Sequence, residues 1–204
     1  MPKLEVPPTK SSLLVIRRSL AFAKEGYELL EQKRQILVLE LMRRVESART
    51  AQGDVDRAMA AAFQALREAA MRSGTEALAR EALGIRRDHH LEAHSRSVMG
   101  TDIPAITFRH VAAKPEFSLG AGSALSDDVM RRFTEALDAI ARLAETENAV
   151  ARLAYEVRRT QRRVNALEKI FIPDYKETVT YIQDVLEERE REQLVVMKMA
   201  KRNL

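Results

Sequence analysis

Starting at Leu13 and stepping alternately by three and four residues, the chain reaches positions 16, 20, 23, 27, 30, 34, 37, 41, 44, 48, 51, 55, 58, 62, 65, 69 and 72. The residues met on the way are Leu, Ile, Ala, Tyr and Val, and only Arg34, Arg44 and Arg72 interrupt them. A stripe held at 3.5-residue spacing over this length predicts a left-handed coiled-coil helix, not a short globular one. Pro7 and Pro8 punctuate its start, with Thr9, Ser11 and Ser12 as candidate caps. Gly53 is the weak point inside the run. Some 60 residues at 1.5 Å each make roughly 90 Å of helix.

A second stripe follows "GAGSALSDD". Ser126 is a candidate cap, and Asp127 and Asp128 suit the positive end of a helix. The apolar positions are Val129, Phe133, Ala136, Ile140, Leu143, Val150, Ala154, Val157, Val164, Phe171, Tyr175, Ile182, Val185, Val196 and Met199. Glu147, Gln161, Glu168, Thr178, Arg189 and Glu192 interrupt them. A continuous helix here is on the order of 110 Å long. Pro173 lies inside it and predicts a kink, since proline removes one hydrogen bond and crowds the preceding turn.

Residues 84 to 125 collect Gly84, Gly100, Pro104, Pro115, Gly120 and Gly122, and helical periodicity fades. "AITFRHV", residues 105 to 111, has the β-branched and aromatic content of a strand, and "EFSL", residues 116 to 119, is its expected hairpin partner. "REALGIRRDHHLEAHSR" is read as a short helix before it. The expected fold is all-α: two very long helices in an antiparallel left-handed coiled coil, with a small irregular or β-hairpin head between them. The expected segments are an extension over 1–8, a first helix over 9–83, a head over 84–125 and a second helix over 126–202, kinked near Pro173. If the ends are flush, position 13 sits beside about 199, and Arg44 faces Glu168 as a registry pair in the seam. The alternative is that each long side chain reaches water from the edge of the seam.

Composition narrows the chemistry. In 204 residues, 31% are charged and 5% aromatic, with no Trp and 7 Gly, which suits long helices with Ala and Leu cores. The 34 basic and 30 acidic residues leave +4, and a chain built only to hold nucleic acid would be more lopsided. No Cys excludes disulfides and thiolate metal sites. No run approaches the ~20 apolar residues of a membrane span, and "MPKLEVPPTK" lacks a signal-peptide core. The expectation is a soluble intracellular protein that meets a membrane only through partners. No phosphate-binding G-x-x-x-x-G-K-[ST] loop exists, so no nucleotide, cofactor, metal or catalytic site is expected. His90 and His94, four apart with Glu92 between them, could share a helix face but lack a third rigid ligand. They read as an exposed polar face.

Arg158, Arg159, Arg162 and Arg163 crowd two helical turns, where like charges repel unless something negative lies near. An acidic protein surface, nucleic-acid phosphate or bulk counter-ions would each serve. The segments that follow, "RRVNALEKIFIP", then "TVTYIQDVLEEREREQ" and "MKMAKR", resemble the C-terminal signature of the D subunit of V-type and archaeal A-type rotary ATPases. "PTKSSLLVIRRSLAFAKEGYELLEQKRQILVLEL" is similar to that family's N-terminal signature. The two blocks cover residues 7 to 41 and 162 to 202.

The resemblance implies a non-catalytic central-stalk shaft, transmitting torque between a catalytic and regulatory hexamer of A and B subunits and an ion-translocating membrane rotor. It implies a small stalk protein, the F subunit, on the shaft's flank. It also implies a funnel-shaped component, the C or d subunit, linking the shaft to the rotor ring. The place implied is cytoplasmic, peripheral to the cell membrane, with no nucleic acid and no direct membrane insertion. Arg158, Arg159, Arg162, Arg163 and Asn165 are then the expected partner contacts. Met197 and Met199 join them, because flexible thioethers suit shifting contacts. The competing readings are a structural coiled coil pairing between chains and a nucleic-acid-binding one. Salt-dependent filter binding and sedimentation of the isolated chain discriminate them.

Overall fold

The structure is a computed structural model that describes residues 6–84, 90–109 and 124–202. In chain order it contains helix α1 (Lys10–Ser73), helix α2 (Thr75–Ala82), strands β1 (His90–Val98) and β2 (Thr101–Arg109), and helix α3 (Ala124–Ala166). A π-helical turn over Leu167–Phe171 and helix α4 (Ile172–Arg202) follow. The chain divides into two compact units, one of residues 1–36 with 157–204 and the other of residues 37–156.

In the first unit α1 begins at a cap that its sequence specifies. The Thr9 hydroxyl accepts the Ser12 backbone N–H at 3.1 Å, satisfying one of the orphan donors of the first turn. Ile16, Ala23, Val164, Thr178 and Ile182 are buried here. The buried Thr178 hydroxyl donates to the Asp174 carbonyl at 2.7 Å, which is how a polar residue sits in the seam. The helices run antiparallel: Lys10 pairs with Glu190 at 2.9 Å, and Arg189 donates to the Pro8 carbonyl at 3.1 Å. The Glu190 hydrogen bond and charge raise the pKa of Lys10. Both groups are exposed, so the pair adds little to stability and is screened by salt.

The second unit sets the later half of α1 antiparallel to α3. Phe63 and Phe133 meet edge-on at 5.7 Å between ring centres. Elsewhere the seam is mostly small: Ala62, Ala65, Ala69, Ala136, Ala139 and Ala149 are buried, with Leu37 and Leu153 as its fully buried large side chains. Gly53 lies within α1, and a Cβ there would meet no other atom within 4 Å. The helix ends where Gly74 turns to a φ of 80°, a conformation that favours glycine. Arg72, the last position of the expected stripe, is exposed.

The hairpin of the second unit differs from the expectation. β2 takes in part of the expected strand, but its partner is β1, in the register His90↔Arg109 through Val98↔Thr101. The expected partner 116–119 lies outside the described residues. The expected helix over residues 80–96 is replaced by the end of α2 and most of β1. Its pattern misleads because "HLEAHSRSV" alternates weakly and is exposed on both faces. Met99 and Gly100 make the two-residue turn, both with positive φ (51° and 76°), as a turn matched to strand twist requires.

The outer edge of β2 is covered rather than open. Its Ile106 N–H donates to Glu145 at 3.1 Å and its Asp102 carbonyl accepts from Arg152 at 2.8 Å, both side chains coming from α3. Pro104, which has no N–H to offer, stands between them. Ile103 is buried by the same docking. Ser126 does not cap α3. The helix starts at Ala124, and the buried Ser126 hydroxyl donates to Glu81 at 2.5 Å.

The expected register is also corrected. The pairing of Lys10 with Glu190 joins numbers adding to 200, and that of Phe63 with Phe133 adds to 196, where flush ends need about 212. The flush register is therefore wrong by about three to four helical turns. The expected pairing of Arg44 with Glu168 joins residues of different units, and the flush register from which it was read is not the register of either. Arg44 is held instead by Glu40 of its own helix at 3.0 Å, and Arg34 by a two-pronged pair with Glu31. The Arg34 hydrogen bond lowers the pKa of Glu31, so this pair acts above the ordinary carboxylate range and is lost as acid protonates Glu31.

Candidate partner interface

Buried Thr160 and Val164 define the inward side of this stretch of helix in the first unit. Arg158, Arg159, Arg162 and Arg163 are all exposed around it. This layout follows from spacing: residues 158 and 162 share a face, as do 159 and 163. Gln161 donates to the Asn165 side-chain oxygen at 2.8 Å, which orients an otherwise half-buried amide next to the arginines. Arg162 and Arg163 enter no ion pair among the described residues, so their charge is presented outward.

The π turn begins directly after Ala166. The Ile172 N–H reaches back five residues to the Leu167 carbonyl instead of four. Pro173 explains it. In an α-helix its ring would crowd the Lys169 carbonyl and its missing N–H would leave that carbonyl unpaired, and a wider turn relieves both. At the place of the expected kink the helix changes type locally. The turn exposes Glu168, Lys169, Ile170 and Phe171, and Phe171 stacks on Tyr175 at 6.5 Å. The arginine cluster, Asn165 and this aromatic pair form one continuous surface along the chain.

Met197 and Met199 lie further along α4. Every residue from Glu187 to Arg202 is exposed, including Leu194, Val195, Val196, Met197 and Met199. Apolar side chains on all sides of a helix mark a segment that some other surface covers. Beside its start, Leu13, Leu14, Gln183 and Leu186 line a shallow groove with Lys10, Glu187 and Glu190. Sequence reasoning singled out Met197 and Met199 as expected contacts and placed Val196 in the seam, but did not name Leu194, Val195 or the outer face of α1. The exposed Val15, Phe22, Leu29 and Ile36 there, spaced by seven, were the available signal.

Nothing among the described residues assembles for metal chemistry: no three His, Cys, Asp or Glu converge. His90, Glu92 and His94 share one face of strand β1 instead of a helix, with His94 3.8 Å from Glu92. No helix among the described residues is long and apolar enough to cross a membrane.

A family profile for the D subunit of ATP synthase matches residues 12–202. The chain is 36% identical over 198 residues to the V-type ATP synthase D subunit of Thermotoga neapolitana, covering 97% of this chain and 98% of that one. It is also 36% identical over 201 residues to the A-type ATP synthase D subunit of Thermococcus kodakarensis, covering 97% and 94%. With the corresponding protein of Methanopyrus kandleri it shares 34% over 199 residues, covering 97% and 86%.

Proposed function

Because the chain belongs to the family of ATP synthase D subunits, we propose that it is the central-stalk rotor component of a V/A-type rotary ATP synthase. In this reading it carries torque between a hexamer of A and B subunits, which binds and converts ATP, and an ion-translocating membrane rotor. The shaft itself is non-catalytic. The small F subunit sits on its flank, and a funnel-shaped component, the C or d subunit, joins it to the rotor ring. It works on the cytoplasmic side, peripheral to the membrane.

The observation that carries the reading is the pairing of long helices. In each unit a stretch of the 64-residue α1 lies antiparallel to a stretch of α3 or α4. Two helices wound on each other resist twisting better than either alone, and torque needs that stiffness. An asymmetric shaft in a threefold hexamer touches its three catalytic sites differently. Each orientation then favours one set of open and closed states, a population shift with a mechanical effector. The exposed arginines and apolar C-terminal residues supply contacts that slide instead of interlocking.

The test is charge reversal, Arg162→Glu with Arg163→Glu, in the reconstituted complex. If these side chains meet acidic partner surfaces, binding weakens roughly 10- to 100-fold, because each lost pair becomes a repulsion. Unchanged assembly and coupling would remove the cluster from the mechanism.

A further inference from the structure

Between Ala23 and residue 36, where the first unit's part of α1 ends, no residue is buried. On the other helix the same holds from 165 to 177, between buried Val164 and buried Thr178. In the register of Lys10 with Glu190, residues 24–36 stand level with 164–176, so the two gaps coincide. The seam is therefore loosely packed over about 13 residues, or roughly 20 Å of helix.

Three features of the sequence keep it loose. Arg34 occupies a stripe position here and is held by Glu31 of its own helix, so the seam carries an ion pair where an apolar knob would pack. Gly26 adds backbone freedom to α1. On the other side stands the π turn, whose proline bars a return to the tighter α form.

The winding also breaks here. Buried Thr160 and Val164 before the turn are repeated by buried Thr178 and Ile182 after it, 18 residues on, which is four more than two heptads. A four-residue insertion in a heptad seam unwinds the coil locally, and the π turn lies inside this one. The Ile172 N–H there spans five residues, and closing the turn to four would wind α4 on by roughly 100°, one residue of α-helix.

We propose that residues 24–36 and 165–177 form a winding joint, the place where the paired helices yield when the shaft is loaded, while Thr178 and Ile182 stay packed. The π turn is its rest state. The α turn, which leaves the Lys169 carbonyl unpaired against Pro173, is its wound state. That the load is torque rests on the rotor reading; the looseness of the joint does not.

Hydrogen exchange tests both parts, because loosely packed segments open far more often than packed ones. In the isolated chain the amides of residues 168–172 are expected to exchange at least 100-fold faster than those of 179–183. Pro173→Ala supplies the missing N–H and lets the turn close, and should slow them at least tenfold. Arg34→Leu with Glu31→Gln should do the same from the opposite helix, by filling the seam. In the assembled complex, ATP turnover should speed exchange at 168–172 at least threefold over the complex without nucleotide, with 179–183 unchanged. Even exchange along the helix in the isolated chain, or either variant without effect, overturns the joint. A complex that hydrolyses ATP with no such rise overturns its loading and leaves the rotor reading standing. Failure of the unmodified chain to enter any ATP synthase complex overturns the rotor reading, and exchange in the isolated chain still decides the joint.

Discussion

Leu153→Ala is expected to destabilise the free chain by about 2–5 kcal/mol, seen as a lower urea midpoint by circular dichroism. The side chain is 0% exposed, in a seam otherwise built largely from alanines. Alanine cores allow close helix approach but bury little area each, so the few large buried residues hold a disproportionate share of the burial energy. A truncated Leu153 leaves a gap that short alanine neighbours cannot fill. Ile140→Ala is the internal control: Ile140 is 39% exposed, and its loss should cost within about 1 kcal/mol. A cost at Ile140 equal to that at Leu153 would mean the seam runs in a different phase.

Replacing Leu194, Val195, Val196, Met197 and Met199 together by Ser is expected to do the opposite to fold and function. All five are more than half exposed, so unfolding of the free chain should move by no more than about 1 kcal/mol. Within the complex the same change removes an apolar surface that the hexamer is proposed to cover. At about 25 cal/mol per Å² over a few hundred Å², loosening of roughly 100-fold or more is expected. Surface binding of the isolated chain to a preformed hexamer measures it. Unaltered binding would take Met197 and Met199 out of the interface.

The N-terminal stripe was legible almost completely, because buried Ile16, Ala23, Leu37, Ala62, Ala65 and Ala69 all fall on it. The second stripe slipped by one residue in its middle. The seam buries Ala149, Leu153 and Thr160, where the pattern named Val150, Ala154 and the interruption Gln161. Burying Leu153 instead of Ala154 removes more apolar area from water, and that gain sets the phase. The register was not legible, since seams of alanine offer many nearly equal alignments and the charges Arg34 and Arg44 are satisfied within their own helix. The hairpin was expected, but its first strand and its turn hid because Met99-Gly100 is not a strong turn dipeptide and β1 carries little alternation. The arginine cluster was legible as exposed charge. What it touches is a property of other chains.

The central claim is that this protein turns. The most direct measurement attaches a bead through a single introduced cysteine in the hairpin turn, at Met99, to complexes immobilised by their hexamer. On adding ATP the account predicts one-directional rotation with three dwells per turn. A bead that stays still while ATP is hydrolysed at the normal rate would contradict it.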